Sequence, residues 1–262
     1  MQPRVIVVTG AASGMGRAAA TRWARRGALV AAVDRSAEAL KELEAIEPNI
    51  SAFECDVSDE QAVERVRSEI CSRLGDIDRL VNAAGILLRG EAGELSTPDV
   101  RRTIEINCLG TMFWVNAVLP AMRERRRGEI VNFASVAGFL PTPGVNAYVT
   151  SKFAVLGFTE TLAEEVRRDG IRVVAVCPPP VDTPMLAEVM DGAFGPRIEK
   201  YMKPITPDVV IDAIDKALPG RRLLVLPGPG TPAMLWLRRL SPGLTRLLFR
   251  ALVYRQPSTR GR

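Results

Sequence analysis

Apolar residues fall along this chain in two rhythms. Seven short runs are almost continuously apolar: RVIVVTG from Arg4, ALVAAVD ending at Asp34, ISAFECD ending at Asp56, DRLVNAAG from Asp78, GEIVNFAS from Gly128, IRVVAVCP from Ile171 and RLLVLPG from Arg222. A strand with one wet face alternates apolar and polar side chains; these runs do not, so both faces of each are expected to be covered. Between them lie longer segments with helical spacing: Gly14 to Arg26, Ser36 to Ala45, Ser58 to Leu74, Pro98 to Met122, Ala147 to Arg168 and Pro207 to Leu218. Strands joined through helices run parallel, and right-handed crossovers lay the helices on both faces. The pattern predicts an α/β fold, a doubly wound, seven-stranded parallel sheet.

This rhythm stops near Pro227, where PGPGTP punctuates the chain. Residues 1–228 are read as one α/β domain and 229–262 as a C-terminal extension. The extension divides into two short amphipathic helices parted by Ser241-Pro242-Gly243. Leu244, Leu247, Leu248, Ala251 and Leu252 share a stripe, with Arg246 and Arg250 on another face. The formal net charge of +5 belongs to this tail. Between Arg221 and Arg262 there are nine arginines and no acid, leaving 26 basic against 30 acidic residues elsewhere. A pI near 9.3 therefore does not argue for a nucleic-acid partner. Such a tail either makes a peripheral contact with an anionic membrane or packs on its own subunit or a neighbour.

The chain has no histidine, so proton transfer near neutral pH needs another tuned side chain. Its four cysteines, Cys55, Cys71, Cys108 and Cys177, form no CxxC pair. They read as buried thiols in a reducing compartment, with no metal site expected. The start, MQPRVIVVTG, runs straight into a strand without the features of a signal peptide, and no apolar run approaches about 18 residues. A cytoplasmic protein is expected.

TGAASGMG follows the first strand and opens the first helix, bringing Gly10, Ser13, Gly14, Met15 and Gly16 into one turn. Glycines there let the backbone approach a pyrophosphate, whose charge then sits at the helix N-terminus. Asp34 ends the second strand, where a carboxylate accepts from adenosine ribose hydroxyls and repels a 2′-phosphate. Neighbouring Arg35 would favour that phosphate. The balance reads as NAD ahead of NADP. In NAYVTSKFAV, Tyr148 and Lys152 stand four apart and share one helix face.

With TGAASGMG, NAAG at Asn82 to Gly85, Ser135 and YVTSK at Tyr148 to Lys152, the chain resembles the short-chain dehydrogenase/reductase (SDR) family over about residues 4 to 226. Ser135 precedes Tyr148 by 13 residues, and Asn107 precedes Ser135 by 28. The resemblance implies a Rossmann-type sheet, a nicotinamide cofactor and a catalytic tetrad of Asn107, Ser135, Tyr148 and Lys152. Tyr148 would exchange a proton with the substrate oxygen, its pKa lowered from about 10 by the Lys152 ammonium and the oxidised cofactor. Ser135 would hold that oxygen, Lys152 would also bind the cofactor ribose, and Asn107 would help organise a water leading to solvent. By position, Asp56 and Val57 would meet the adenine; Asn82, Ala83 and Gly85 would line the cofactor; Val181 and Thr183 would hold the carboxamide. The family also commonly pairs its long helices across a two-fold axis, which implies a homodimer or homotetramer. The sequence departs from the family at Pro179, where glycine is usual.

Substrate-side segments are apolar: Ile86 to Leu88, Gly138 to Val145 and Pro184 to Phe194. They contain no lysine or arginine to clamp an acid, which points to a neutral, lipophilic secondary alcohol or ketone. Met185 and Met190 suit an adaptable lid. The rival reading is a catalytically idle dinucleotide-binding scaffold or sensor, which would have no need of four groups in catalytic register.

Overall fold

The computed structural model describes residues 4–190, 203–220 and 222–253. Seven strands form one sheet in the order β3-β2-β1-β4-β5-β6-β7, every pairing parallel. They are β1 (Val5–Thr9), β2 (Leu29–Asp34), β3 (Ile50–Glu54), β4 (Ile77–Asn82), β5 (Gly128–Phe133), β6 (Ile171–Val176) and β7 (Leu224–Val225). The helices are α1 (Gly14–Arg25), α2 (Ala37–Ile46), α3 (Glu60–Leu74), α4 (Thr97–Ile104), α5 (Gly110–Glu124), α6 (Asn146–Glu165), α7 (Pro184–Met190), α8 (Pro207–Ala217), α9 (Thr231–Leu240) and α10 (Pro242–Val253). This is the doubly wound sheet that the apolar runs predict.

Strand residues alternate between two cores, which is why the runs are apolar throughout. Ile6, Val8, Val30 and Ala32 pack with Trp23, Leu40, Leu43, Ile211 and Ile214 on one face. Val5, Val7, Ala31 and Val33 pack with Ile70, Trp114, Val118 and Met122 on the other. The order reverses between β1 and β4, and the crevice at that switch point is where open α/β sheets bind ligands. Register aligns the polar strand ends there: Thr9 pairs with Asn82, and Asn82 with Asn132.

The segment expected as one helix from Pro98 to Met122 contains a π-turn, Glu105–Leu109, between α4 and α5. By length and composition the helical run Thr97–Glu124 is apolar enough to cross a membrane, but Trp114, Val115, Val118 and Met122 bury it against the sheet.

A 3-10 turn, Val136–Gly138, follows β5 and lies directly on α6. A Cβ at Gly138 would stand 2.8 Å from the Lys152 carbonyl oxygen, and that helix backbone cannot yield. Glycine here sets the spacing between the Ser135 turn and the Lys152 turn. Gly138→Ala is expected to cost about 1–3 kcal/mol by overpacking, read as a lower melting temperature. An unchanged melting temperature would show that the two turns are not in obligatory contact.

Candidate active site

The glycine turn leaves a cradle. Gly10 and Gly14 have φ of 68° and 52°, a region that favours glycine. A Cβ on Gly16 would meet the Gly10 carbonyl oxygen at 2.1 Å, and one on Gly10 would meet the Ala84 backbone at 2.8 Å. Opposite Gly14 stands Thr183, with room for about one methyl group between them: a Cβ would be 3.5 Å away. Ser13 makes no side-chain cap bond and the first turn of α1 holds no acid, so no side chain of the turn itself offsets the helix dipole. These features fit a dinucleotide, with Gly10, Ser13, Gly14, Met15 and Gly16 beneath its pyrophosphate.

Around the cradle, Asp34 accepts from the Ala12 amide through one oxygen and from the Ser36 amide through the other, both at 3.1 Å. The carboxylate is thereby fixed at the end of β2 beside the glycine turn, with its remaining lone pairs available. Arg35 is exposed. Asp56 is held below the usual carboxylate range by the Ser58 hydroxyl and amide, with Arg35 and Arg102 adding weaker attraction. Val57 is buried against Gly110, where a Cβ would meet it at 2.8 Å. Thr9 accepts from the Ala83 and Ala84 amides at 3.1 Å each, tying β4's exit to the glycine turn. The Asn82 side chain turns into the sheet instead, donating to Asn132 at 2.9 Å, while Asn132 donates to Thr159 at 3.0 Å.

On the other side, Val181 and Thr183 are placed by a stitched loop. Ile205 donates to the Pro180 carbonyl and Asp182 donates to the Ile205 carbonyl, at 3.0 and 2.9 Å. Pro178 accepts from Val136 at 3.0 Å. The triple proline thus supplies acceptors where acceptors are needed, and Pro179 itself lines the cavity.

Ser135, Tyr148 and Lys152 face one cavity of about 460 Å³. Lys152 Nζ donates to the Phe133 carbonyl at 2.8 Å and lies 5.5 Å from the Tyr148 ring centre. Asn107 does not line the cavity but clamps what does. It donates to the Ile86 carbonyl at 2.9 Å and to the Ser151 hydroxyl at 3.0 Å, and accepts from the Ile86 amide at 2.8 Å. Ser151 in turn donates to the Tyr148 carbonyl at 2.7 Å. The π-turn aims Asn107 at this junction, a common use of π-bulges. Gly85 leaves the space: a Cβ there would stand 3.2 Å from Asn107 Oδ1 and 3.7 Å from Lys152 Nζ.

Burial dominates both titrating groups. It pushes the Tyr148 phenol above its ordinary value, against a weaker opposing pull from the Ser135 hydroxyl. The same cause draws the Lys152 amine down to about 8, with Cys177 and Cys108 opposing. Lys152 is not among the causes that act on the phenol in the protein by itself, and the lowering expected from the sequence also drew on the charge of the oxidised cofactor. Cys177, fully buried, is itself pushed up to about 12 by desolvation.

Met15, Ala83, Gly85, Val181 and Thr183 line the same cavity as Tyr148 and Lys152. Its walls include the apolar Leu87, Leu140, Val145, Met185 and Leu186. Met190's side chain and residues 191–194 lie outside the described residues. Two sets of lining residues escaped the reading of the sequence. Arg89 stands one residue beyond the apolar Ile86–Leu88 run and is carried to the cavity because Gly90 donates to the Gly144 carbonyl at 2.9 Å. Met234, Leu237, Thr245 and Leu248 come from α9 and α10, the tail helices. Among the described residues no cluster of cysteine, aspartate and glutamate is placed to hold a metal ion.

The pattern that defines the short chain dehydrogenase family matches residues 4–193, and the chain belongs to that family. It is 43% identical over 190 residues to 2-(R)-hydroxypropyl-CoM dehydrogenase of Xanthobacter autotrophicus, covering 70% of this chain and 76% of that one. Retinol dehydrogenase 10-B of Danio rerio is 34% identical over 236 residues, 79% of this chain and 68% of its own. A solved short-chain dehydrogenase from Streptomyces avermitilis superposes with a TM-score of 0.82 at 30% identity, over 97% of this chain and 98% of that one. The protein is therefore an oxidoreductase of a family that uses NAD or NADP.

Lys152 carries a thermodynamic signature. An unfolded lysine keeps its proton to near 10.5, whereas the folded one releases it near 8. Between those values the unfolded state binds more protons, so this residue's contribution to stability rises with pH; below pH 8 its penalty is constant. The window corresponds to roughly 3 kcal/mol. Denaturant titrations at pH 7.5 and 10 should show the native protein gaining stability relative to Lys152→Met, and parallel pH profiles would contradict the buried cation.

Proposed function

We propose that the protein is an NAD-preferring oxidoreductase that interconverts a neutral, lipophilic secondary alcohol and its ketone. The observation that carries this reading is the meeting of Ser135, Tyr148 and Lys152 in a cavity whose walls are mainly apolar, with Arg89 as its one other charged lining residue among the described residues. When bound, the nicotinamide supplies the acceptor for the alcohol carbon's hydride, or in reduced form the donor to the ketone. Tyr148 takes the alcohol proton during oxidation and returns it during reduction. Ser135 hydrogen-bonds the same oxygen as charge develops on it. Lys152 supplies positive charge beside the phenol and binds the cofactor ribose, and Asn107 holds the Ile86 and Tyr148 backbones in position.

Asp34 supports NAD over NADP, since a carboxylate fixed at the end of β2 would repel a 2′-phosphate bound beside it. The apolar walls support a lipophilic substrate, and one relative is named for retinol, an apolar alcohol. A dinucleotide-binding scaffold without activity accounts less well for the convergence of a hydroxyl, a phenol and a buried amine. Exposed Val100, Leu109 and Phe153 on α4, the π-turn and α6 support a homodimer or homotetramer formed on those helices. We further read the protein as cytoplasmic, with residues 1–228 forming the catalytic domain and 229–262 the extension.

Tyr148→Phe should lower kcat by about 10²–10⁴ while calorimetric NAD affinity stays nearly unchanged, since only the proton carrier is removed. Comparable turnover in this variant would remove Tyr148 from the mechanism. Asp34→Ala should weaken NAD by about tenfold or more, through loss of charged hydrogen bonds, and narrow its advantage over NADP. Tighter binding of NADP than NAD by the native protein would overturn the cofactor assignment.

A further inference from the structure

The tail helices have two faces with different duties. Inward, Leu235 and Thr245 are buried, while Met234, Leu237 and Leu248 form part of the cavity wall. Arg238 Nε donates to the Phe139 carbonyl at 3.3 Å, and Arg239 pairs with Glu160 at 3.6 Å, so α9 is fastened to the body. Outward, Trp236, Leu240, Leu244 and Leu247 are 58, 78, 45 and 64% exposed. Of the other exposed large apolar residues, Ile46 and Val209 stand singly on their helices, and Val100, Leu109 and Phe153 lie on the segments read as the oligomer face. Large apolar residues left this exposed, and concentrated on one helix pair, mark an interaction surface.

Charge identifies the partner. The segment from Arg221 to Arg262 has nine arginines and no acid, while the remainder carries more acids than bases. Exposed Arg246 adjoins the apolar stripe. Pairing this face with itself in a second copy would set arginine against arginine without an acid from the segment to relieve it. An anionic bilayer meets both demands, burying the leucines and tryptophan at its interface and attracting the arginines.

We propose that α9 and α10 dock the protein on an anionic membrane surface, and that the cavity takes its apolar substrate from that surface through the wall they form. Leu248, on the cavity wall, directly follows exposed Leu247 on α10, so the two surfaces meet there. The supply route rests on the reading of the cavity as a lipophilic-substrate site; the docking does not.

Co-sedimentation of the full chain with vesicles containing about 30% phosphatidylserine tests the docking directly. Binding should be strong at low salt, fall by about tenfold or more as salt is raised through the screening range, and be weak on pure phosphatidylcholine. Leu240→Gln/Leu247→Gln changes two outward residues that do not line the cavity; it should lose vesicle binding while keeping the native melting temperature and NAD affinity. Equal sedimentation of native and variant protein would overturn the docking. So would a variant that changes the oligomer size in light scattering without changing vesicle binding, since a second copy would then be the occupant. With 2-dodecanol dissolved in the vesicles, NAD reduction by the native protein should accelerate on anionic membranes and not in the variant. Vesicle binding without turnover of any apolar alcohol would uphold the docking and reject the substrate reading alone.

Discussion

A protonated amine buried at the carboxyl end of a parallel sheet is the constraint around which this site is arranged. Lys152 is 5% exposed, and its Nζ has the Phe133 carbonyl as a fixed acceptor at 2.8 Å. A cation in that position is costly unless its surroundings are ordered around it. The order is visible in the neighbours. Gly85 leaves room beside Nζ, Gly138 lets the Ser135 turn rest on the Lys152 carbonyl, and Asn107 locks the Ile86 strand-exit loop to Ser151. Each of these contacts constrains backbone next to the amine, so the catalytic geometry and the accommodation of the charge are one packing problem. Retaining such a residue sacrifices stability for function, a common trade at active sites.

The same low-dielectric setting governs the reaction. Desolvation raises the phenol and lowers the amine, so in the protein alone Tyr148 keeps its proton. That state suits proton donation to a carbonyl oxygen. Under the proposed reading, an oxidised nicotinamide bound beside the phenol would add positive charge and favour proton acceptance from an alcohol. A histidine would titrate in the physiological range unaided, and this chain has none.

Much of the fold was legible because both faces of the sheet are covered, which makes each strand a continuous apolar run. What could not be read depends on contacts between distant segments. Asn107 was recognisable by its spacing from Ser135, but the π-turn that aims it carries no periodic signature within an otherwise helical segment. Asn82 was expected to line the cofactor cleft, and its side chain instead continues a buried polar row through Asn132 to Thr159, set by strand register. Arg89 reaches the cavity only because its loop pairs with Gly144 and Val145. The amphipathic tail was evident from its leucine and arginine stripes, but which surface its inner face would cover was not; the structure sets it against the catalytic cavity.

The state of Lys152 is the most direct point of test, and the chain has only five lysines to distinguish. Side-chain carbon NMR of protein labelled at lysine would follow each amine through its titration. One resonance should titrate near pH 8 and should vanish in Lys152→Met. If the resonance lost in Lys152→Met instead titrates near the ordinary lysine value of about 10.5, the amine is solvated and the arrangement described around it loses its physical basis.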